Sequence, residues 1–393
     1  MQLYQTAVIG KGLFGAAAAK YLQAAGNKTI LTGPNEPHES EYKNTTVFAS
    51  HYDAGRVTRL YGKSKEWTLL NKLTQNKFAA IQAESGIAFY ETEGSLFVST
   101  KEKRDYIDGV INHQIKSLDN ETIMLNDDEL KNKFPQFHFP DESIAYFEKG
   151  NSGHLKPGKL IEAQLKIFLN NGGIHLPQLT QQVKKENNSF IIFTNEGEEI
   201  SAEEVLVCTG AFHNFFNFIT APQPLILKSE TILLAELSKE DAMQMQQLPS
   251  LIYDITTDEY DEIYLVKPLL YPDGKYYLKI GANLTTDKIF HSLEEIKKWF
   301  CAEPSKQQQL LYESILKDLI PSLPIISFKT KNCIIERTVS GNPIINKSPE
   351  GVYTCTGGNG YGAMCSDAMG FLAANTIMEK PLPAGFSNSF FEE

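Results

Sequence analysis

The sequence predicts an α/β protein: a doubly wound nucleotide-binding unit with an inserted antiparallel-sheet substrate domain. Three observations carry that expectation. A glycine-rich β-α-β unit opens the chain. Segments rich in strand formers and poor in helix signals fill residues 224–300. A second glycine-dense loop leads into a C-terminal helix. A chain of 393 residues has room for two or three domains.

The opening unit is QTAVIGKGLFGAAAAKYLQAAGNKTILTG. Gln5–Ile9 reads as a buried strand, and Gly10, Gly12 and Gly15 form G-x-G-x-x-G. A helix follows with small residues on its packing face, Gly26 stops it, and Lys28–Thr32 reads as the next strand. In a Rossmann-type unit the first glycine allows the turn, the second lets backbone N–H groups reach a pyrophosphate, and the third lets helix and strand pack closely. The acid expected about 20 residues on, to bind a ribose hydroxyl, is missing. Thr32-Gly33-Pro34 stands there, so Thr32, Asn35 or Glu36 must replace it, and no cation marks a 2′-phosphate site.

Further along, Trp67 opens an amphipathic helix. IAFYETEGSLFVST reads as a strand pair turning near Glu93-Gly94, residues 101–145 as charged helix and loop, and Pro157 as a helix start. SFIIFTNEGEEISAEEVLVCTG reads as a hairpin and then a buried strand, Val205–Cys208. Pro272–Lys275 reads as a hairpin turn.

Net charge is −11, which argues against a nucleic-acid or anionic-membrane surface and suits a small-molecule substrate. No apolar run approaches the ~20 residues a membrane span needs. No leader is evident. Five cysteines, Cys208, Cys301, Cys333, Cys355 and Cys365, lack zinc-type spacing, and no metal site is expected. A reducing cytoplasm is the expected location.

Only four of 37 basic residues are arginines: Arg56, Arg59, Arg104 and Arg337. Against that lysine bias, Arg56 and Arg59 in ASHYDAGRVTRLYGKS stand out. Three apart, they share one face of a helical turn and invite an anion. A solvated basic face is the alternative.

GKGLFG followed by SHYDAGRVTR resembles the flavin amine oxidases of the D-amino acid oxidase superfamily, nearest the monomeric sarcosine oxidase group. The resemblance implies a discontinuous FAD-binding domain (1–90, 151–222, 326–393) and a substrate domain (91–150, 223–325). It implies cofactor contacts from Gly10, Gly12, Leu13, Phe14, Gly15, Ser50, Arg56, Val183, Thr209, Gly210, Cys333, Gly357, Gly358, Gly360, Tyr361 and Gly362. Arg59 would bind a substrate carboxylate. Lys279, in YYLKIG, would promote reaction with oxygen, though on the strand pattern alone it could equally face solvent. Further marks are Gly153–Leu160, which resembles the family's S-G-x-x-x-P-x-x-L turn, and TGAF at 209–212.

In CIIERTVSGNPII, Cys333 has the spacing of the family's covalent flavin cysteine; the alternative is a buried strand cysteine beside non-covalent FAD. The family's second carboxylate-binding lysine is Met364 here, and its active-site histidine is Ala282 or Asn283. These differences point away from sarcosine itself. The expected function is FAD-dependent oxidation of the C–N bond of a small, carboxylated amine, with electrons passed to O2 or another acceptor. Two alternatives are a 2-hydroxy-acid oxidase and a flavin-binding redox subunit or sensor without turnover.

Overall fold

A computed structural model describes residues 2–103, 109, 122–303 and 305–392; Arg104 lies outside them, with much of the charged segment 101–145. Two large sheets organise the chain. In the first, Leu3–Ile9 runs parallel to Thr29–Thr32 on one side and Glu199–Val207 on the other. Thr6–Ile9, Thr29–Thr32 and Val205–Val207 are buried on both faces, which is why these stretches do not alternate; the first halves of Leu3–Ile9 and Glu199–Val207 do. Parallel strands open their carboxyl ends the same way, so Gly10, Gly33 and Thr209 come to one edge. Gly10 N–H donates to Thr32 (2.8 Å) and Cys208 N–H to Ile9 (2.7 Å).

The glycine-rich turn feeds the helix Leu13–Ala24, whose Ala16–Ala19 face is fully buried. It packs on the helix Gly362–Ile377 at close range: a Cβ on Gly370 would lie 2.3 Å from Ala17 Cβ. A buried ion pair, Lys20 to Asp367 at 2.5 Å, crosses the contact, and Tyr21 adds a hydrogen bond of 2.6 Å. The helix expected near Trp67 spans Lys65–Ser85, capped by Ser64 and ended by Gly86 in the left-handed conformation. Pro157 does open a helix, Pro157–Asn170.

Among the described residues the second sheet has nine strands. All but one of its pairings are antiparallel; Ser250–Thr256 runs parallel to Ser95–Ser99. Its strand Ser327–Thr338, which carries Cys333, is paired along its length with Leu225–Leu237. Tyr90–Glu91 and Ser95–Ser99 do not form the expected pair. Tyr90–Glu91 joins a small three-stranded sheet with Gly153–Leu155 and Arg56–Thr58, while Ser95–Ser99 joins the second sheet. Each edge finds a longer-range partner, which local turn chemistry cannot foresee.

Candidate active site

A cavity of about 950 Å³ lies between the sheets. The first sheet contributes Gly10–Phe14 and Gly33–Glu36. The second contributes Lys279, Asn283, Cys333 and Arg337, and the crossing segment contributes Ser50, Arg56 and Arg59.

The glycines divide into two kinds. Gly10 has φ +106°, and a Cβ there would lie 2.4 Å from Cys208 O; on Gly15 it would lie 1.9 Å from Gly10 O. Protein atoms demand both. A Cβ on Gly12 would meet nothing within 4 Å, yet Gly12 lines the cavity and begins a helix with neither a side-chain cap nor an acid in its first turn. Open space before uncapped helical N–H groups fits a pyrophosphate. Gly360 and Gly362 repeat the pattern at the start of Gly362–Ile377, which also lacks a side-chain cap. The cradle therefore fits FAD at both helix starts.

Of the three ribose candidates, Thr32 is buried with its hydroxyl against Thr180 (2.8 Å), and Asn35 accepts from Lys11. Glu36 lines the cavity without a hydrogen bond or ion pair among the described residues; burial pushes its carboxyl up, and Lys331 counters this. The Thr209 hydroxyl is likewise buried, unpartnered and on the cavity wall. Val183 does not line the cavity. Its side chain is fully buried in the first sheet's core and its N–H donates to Asn217, so Leu179 and Thr180 form the wall there. Gly357 also lies behind the wall, donating to Glu336.

Arg56 and Arg59 do not share a helical face. Arg56–Thr58 pairs with Gly153–Leu155 as a strand, and the extended backbone separates the two guanidinium groups. Arg56 reaches Asp53 and the Ser50 carbonyl (2.5 Å). Arg59 lies over the rings of Phe97 (5.5 Å) and Tyr361 (5.7 Å). It has no ion pair or hydrogen bond among the described residues.

Asp53, the only acid in residues 49–64, is the centre of the site. Its Oδ2 accepts from both Arg56 and Lys279 (2.5 Å), and its Oδ1 accepts from Tyr271 (2.9 Å). Burial alone would raise its carboxyl, but Lys279 and Arg56 hold it well below the usual range. One carboxylate serving two cations leaves an excess positive charge. Burial, then Arg56, lowers Lys279 to about 8.

Lys279 reaches this centre through strand alternation. On Tyr276–Leu284, residues Leu278, Ile280, Ala282 and Leu284 enter the large core, so Lys279 and Asn283 face the cavity. Gly281 between them makes room for Tyr264: a Cβ there would lie 2.3 Å from that ring. Cys333 also faces the cavity, its Sγ 3.7 Å from Ser50 O and 3.9 Å from Arg56 Nη2. Burial pushes its thiol up, and Arg56 opposes this.

Two acids escaped sequence reasoning. Asp53 carried a usable signal, a lone acid three residues before an arginine. Glu336 carried none. It accepts from the N–H groups of Gly357 (2.9 Å) and Gly358 (3.0 Å) and from the Thr356 hydroxyl (3.2 Å), so it fixes the loop that starts the last helix.

Fold and site together define a flavin-dependent oxidoreductase with a parallel-sheet nucleotide end and a cationic pocket at the other sheet. Residues 5–376 match the family model described as FAD dependent oxidoreductase (DAO), and the chain belongs to that family. Its cofactor is FAD. The chain is similar to monomeric sarcosine oxidase of Arthrobacter sp., 22% identical over 93% of this chain and 90% of the relative. It is also similar to N-methyl-L-tryptophan oxidase of Yersinia pestis, 24% identical over 53% of this chain and 54% of the relative. Among solved structures, L-proline dehydrogenase from P. horikoshii superposes with TM-score 0.77 at 19% identity, covering 96% and 94% of the two chains. Glycine oxidase from Geobacillus kaustophilus superposes with TM-score 0.75 at 16% identity, covering both chains fully. Among the described residues no helix is long and apolar enough to cross a membrane.

Proposed function

We propose that the protein oxidises the C–N bond of a small carboxylated amine to an imine, with O2 or another acceptor as the final oxidant. The observation that carries this reading is the unequal state of the two arginines. Arg56 is satisfied by Asp53 and Ser50, whereas Arg59 stands in the cavity with no ion pair among the described residues, Glu148 and Glu262 acting on it only through space. A guanidinium held between two aromatic faces suits a substrate carboxylate.

When bound, FAD supplies the hydride acceptor. The chain's own residues do the rest. Gly12 and the following helix start hold the phosphates, and Arg59 anchors the carboxylate so that the α C–H is presented in one orientation. The Asp53–Lys279–Arg56 cluster keeps surplus positive charge buried beside the reacting region. That charge supports the role of Lys279 in reaction with oxygen, because negative charge develops on oxygen as it is reduced. Met364 on the cavity wall leaves Arg59 without the second cation expected beside it, which favours a substrate other than sarcosine. Five free cysteines are compatible with a cytoplasmic location.

The test is a panel of N-methyl, cyclic and primary amino acids mixed with the purified yellow protein. Bleaching of the flavin band without air, and peroxide release in air, are the expected results for some member. If only 2-hydroxy acids bleach the band, the amine reading fails.

A further inference from the structure

We propose that the substrate is an amine bearing two acid groups, one bound by Arg59 and the second held between Arg337 and Lys63. This deepens the amine-oxidase reading and rests on it. Four cavity-lining cations form no ion pair among the described residues: Lys11, which bonds Asn35 at the nucleotide end, and Arg59, Lys63 and Arg337. Among the described residues Arg337 bonds only through Nη2, to Asn283 Oδ1 at 3.0 Å, and its buried Nε has no partner. Lys63 lies beside the same loop, where its Nζ would meet a Cβ on Gly341 at 2.4 Å. Burial, then the nearby Arg337, lowers Lys63, as expected for neighbouring cations with no anion between them.

The acids on that wall do not cancel this charge. Asp254 and Asp261 already share Lys103, at 2.7 and 3.0 Å. Glu262, on a strained backbone at φ +46°, forms no ion pair among the described residues but feels Arg59 and Arg337 through space, while Glu336 spends its carboxylate on the Gly357 and Gly358 N–H groups. At the end of the cavity away from the nucleotide turn, Arg59, Lys63 and Arg337 with Glu262 complement two carboxylates and one ammonium. A monocarboxylate would leave Lys63 and Arg337, with its buried Nε, unmatched, which costs affinity. Placing a scarce arginine at 337, in a chain that otherwise uses lysine, fits a fork that grips a carboxylate.

The test uses the FAD-loaded protein and non-oxidisable probes. Dicarboxylates from malonate to adipate, and monocarboxylates of matching chain length, are titrated while the flavin spectrum is read. At one chain length the dicarboxylate should bind at least about tenfold tighter than its monocarboxylate, and the preference should shrink as salt is raised. Lys63→Gln and Arg337→Gln should each reduce that preference severalfold; Lys63 is exposed, so its variant should fold, with the retained flavin spectrum as the check. Dicarboxylates that bind no tighter at any length overturn the proposal. A dicarboxylate preference in a protein that no amine bleaches would instead overturn the amine-oxidase reading.

Discussion

Lys279 Nζ lies 2.5 Å from Asp53 Oδ2, and the same carboxylate oxygen is shared with Arg56. A strand of the second sheet is thereby tied to the segment leaving the nucleotide-binding sheet. The contact is buried on both sides, so its two charges depend on one another. Asp53→Asn should destabilise the protein by about 3–5 kcal/mol, because two buried cations lose their anion. The thermal midpoint and flavin content of the variant measure this, and a midpoint within a degree of the parent would refute it.

Lys279 is lowered to about 8, so it is charged below that pH and loses its charge as pH rises through it. The rate of flavin reoxidation by O2 should therefore be highest below about pH 8 and fall above it. Lys279→Met should slow that rate by roughly 10²–10³-fold and abolish the pH step. Stopped-flow mixing with oxygenated buffer across pH 6–10 reads both effects.

Gly12 and Gly15 should separate cofactor binding from folding. Gly12→Ala adds a methyl that meets no protein atom, so the chain should fold with normal secondary structure but bind FAD weakly. Gly15→Ala drives a methyl into Gly10 O and should impair folding itself. Circular dichroism paired with flavin absorbance distinguishes the two. A fully yellow Gly12→Ala protein would remove the phosphate role of this turn.

Cys333 places its sulfur on the cavity wall, so covalent attachment of FAD is proposed there. Acid precipitation should give a yellow pellet from the parent and a colourless one from Cys333→Ala. A colourless pellet from the parent leaves Cys333 as a strand residue facing non-covalent FAD.

Glu148 offers a stability test behind the cavity wall, where Arg59 acts on it through space. It is 3% exposed and accepts from the Leu60 N–H (2.6 Å) and the Ser152 hydroxyl; burial raises it to about 7. Its folded value exceeds its unfolded one, so its contribution is present below about pH 4.5 and is lost as pH rises to about 7. Glu148→Gln should be more stable than the parent by up to ~3 kcal/mol at pH 8 and equal to it at pH 4.5. Denaturant melts at the two pH values measure the difference.

The sequence by itself determined the nucleotide end. Gly10, Gly12 and Gly15 act through local backbone geometry, and strand, turn and helix lie within about 30 residues of one another. The helix through Trp67, the helix opened by Pro157 and the last helix after the glycine-dense loop were legible for the same reason. Strand alternation also left Lys279 two choices, solvent or cavity. Only the tertiary structure decided between them, because the answer depends on which face of Tyr276–Leu284 the core covers. It alone drew Arg56–Thr58 into a strand by pairing it with Gly153–Leu155, and so parted two arginines that local spacing had placed together. Asp53 and Lys279 are 226 residues apart in sequence. No local pattern encodes such a contact; it exists because two sheets close on one cavity and bury a carboxylate that needs cations around it.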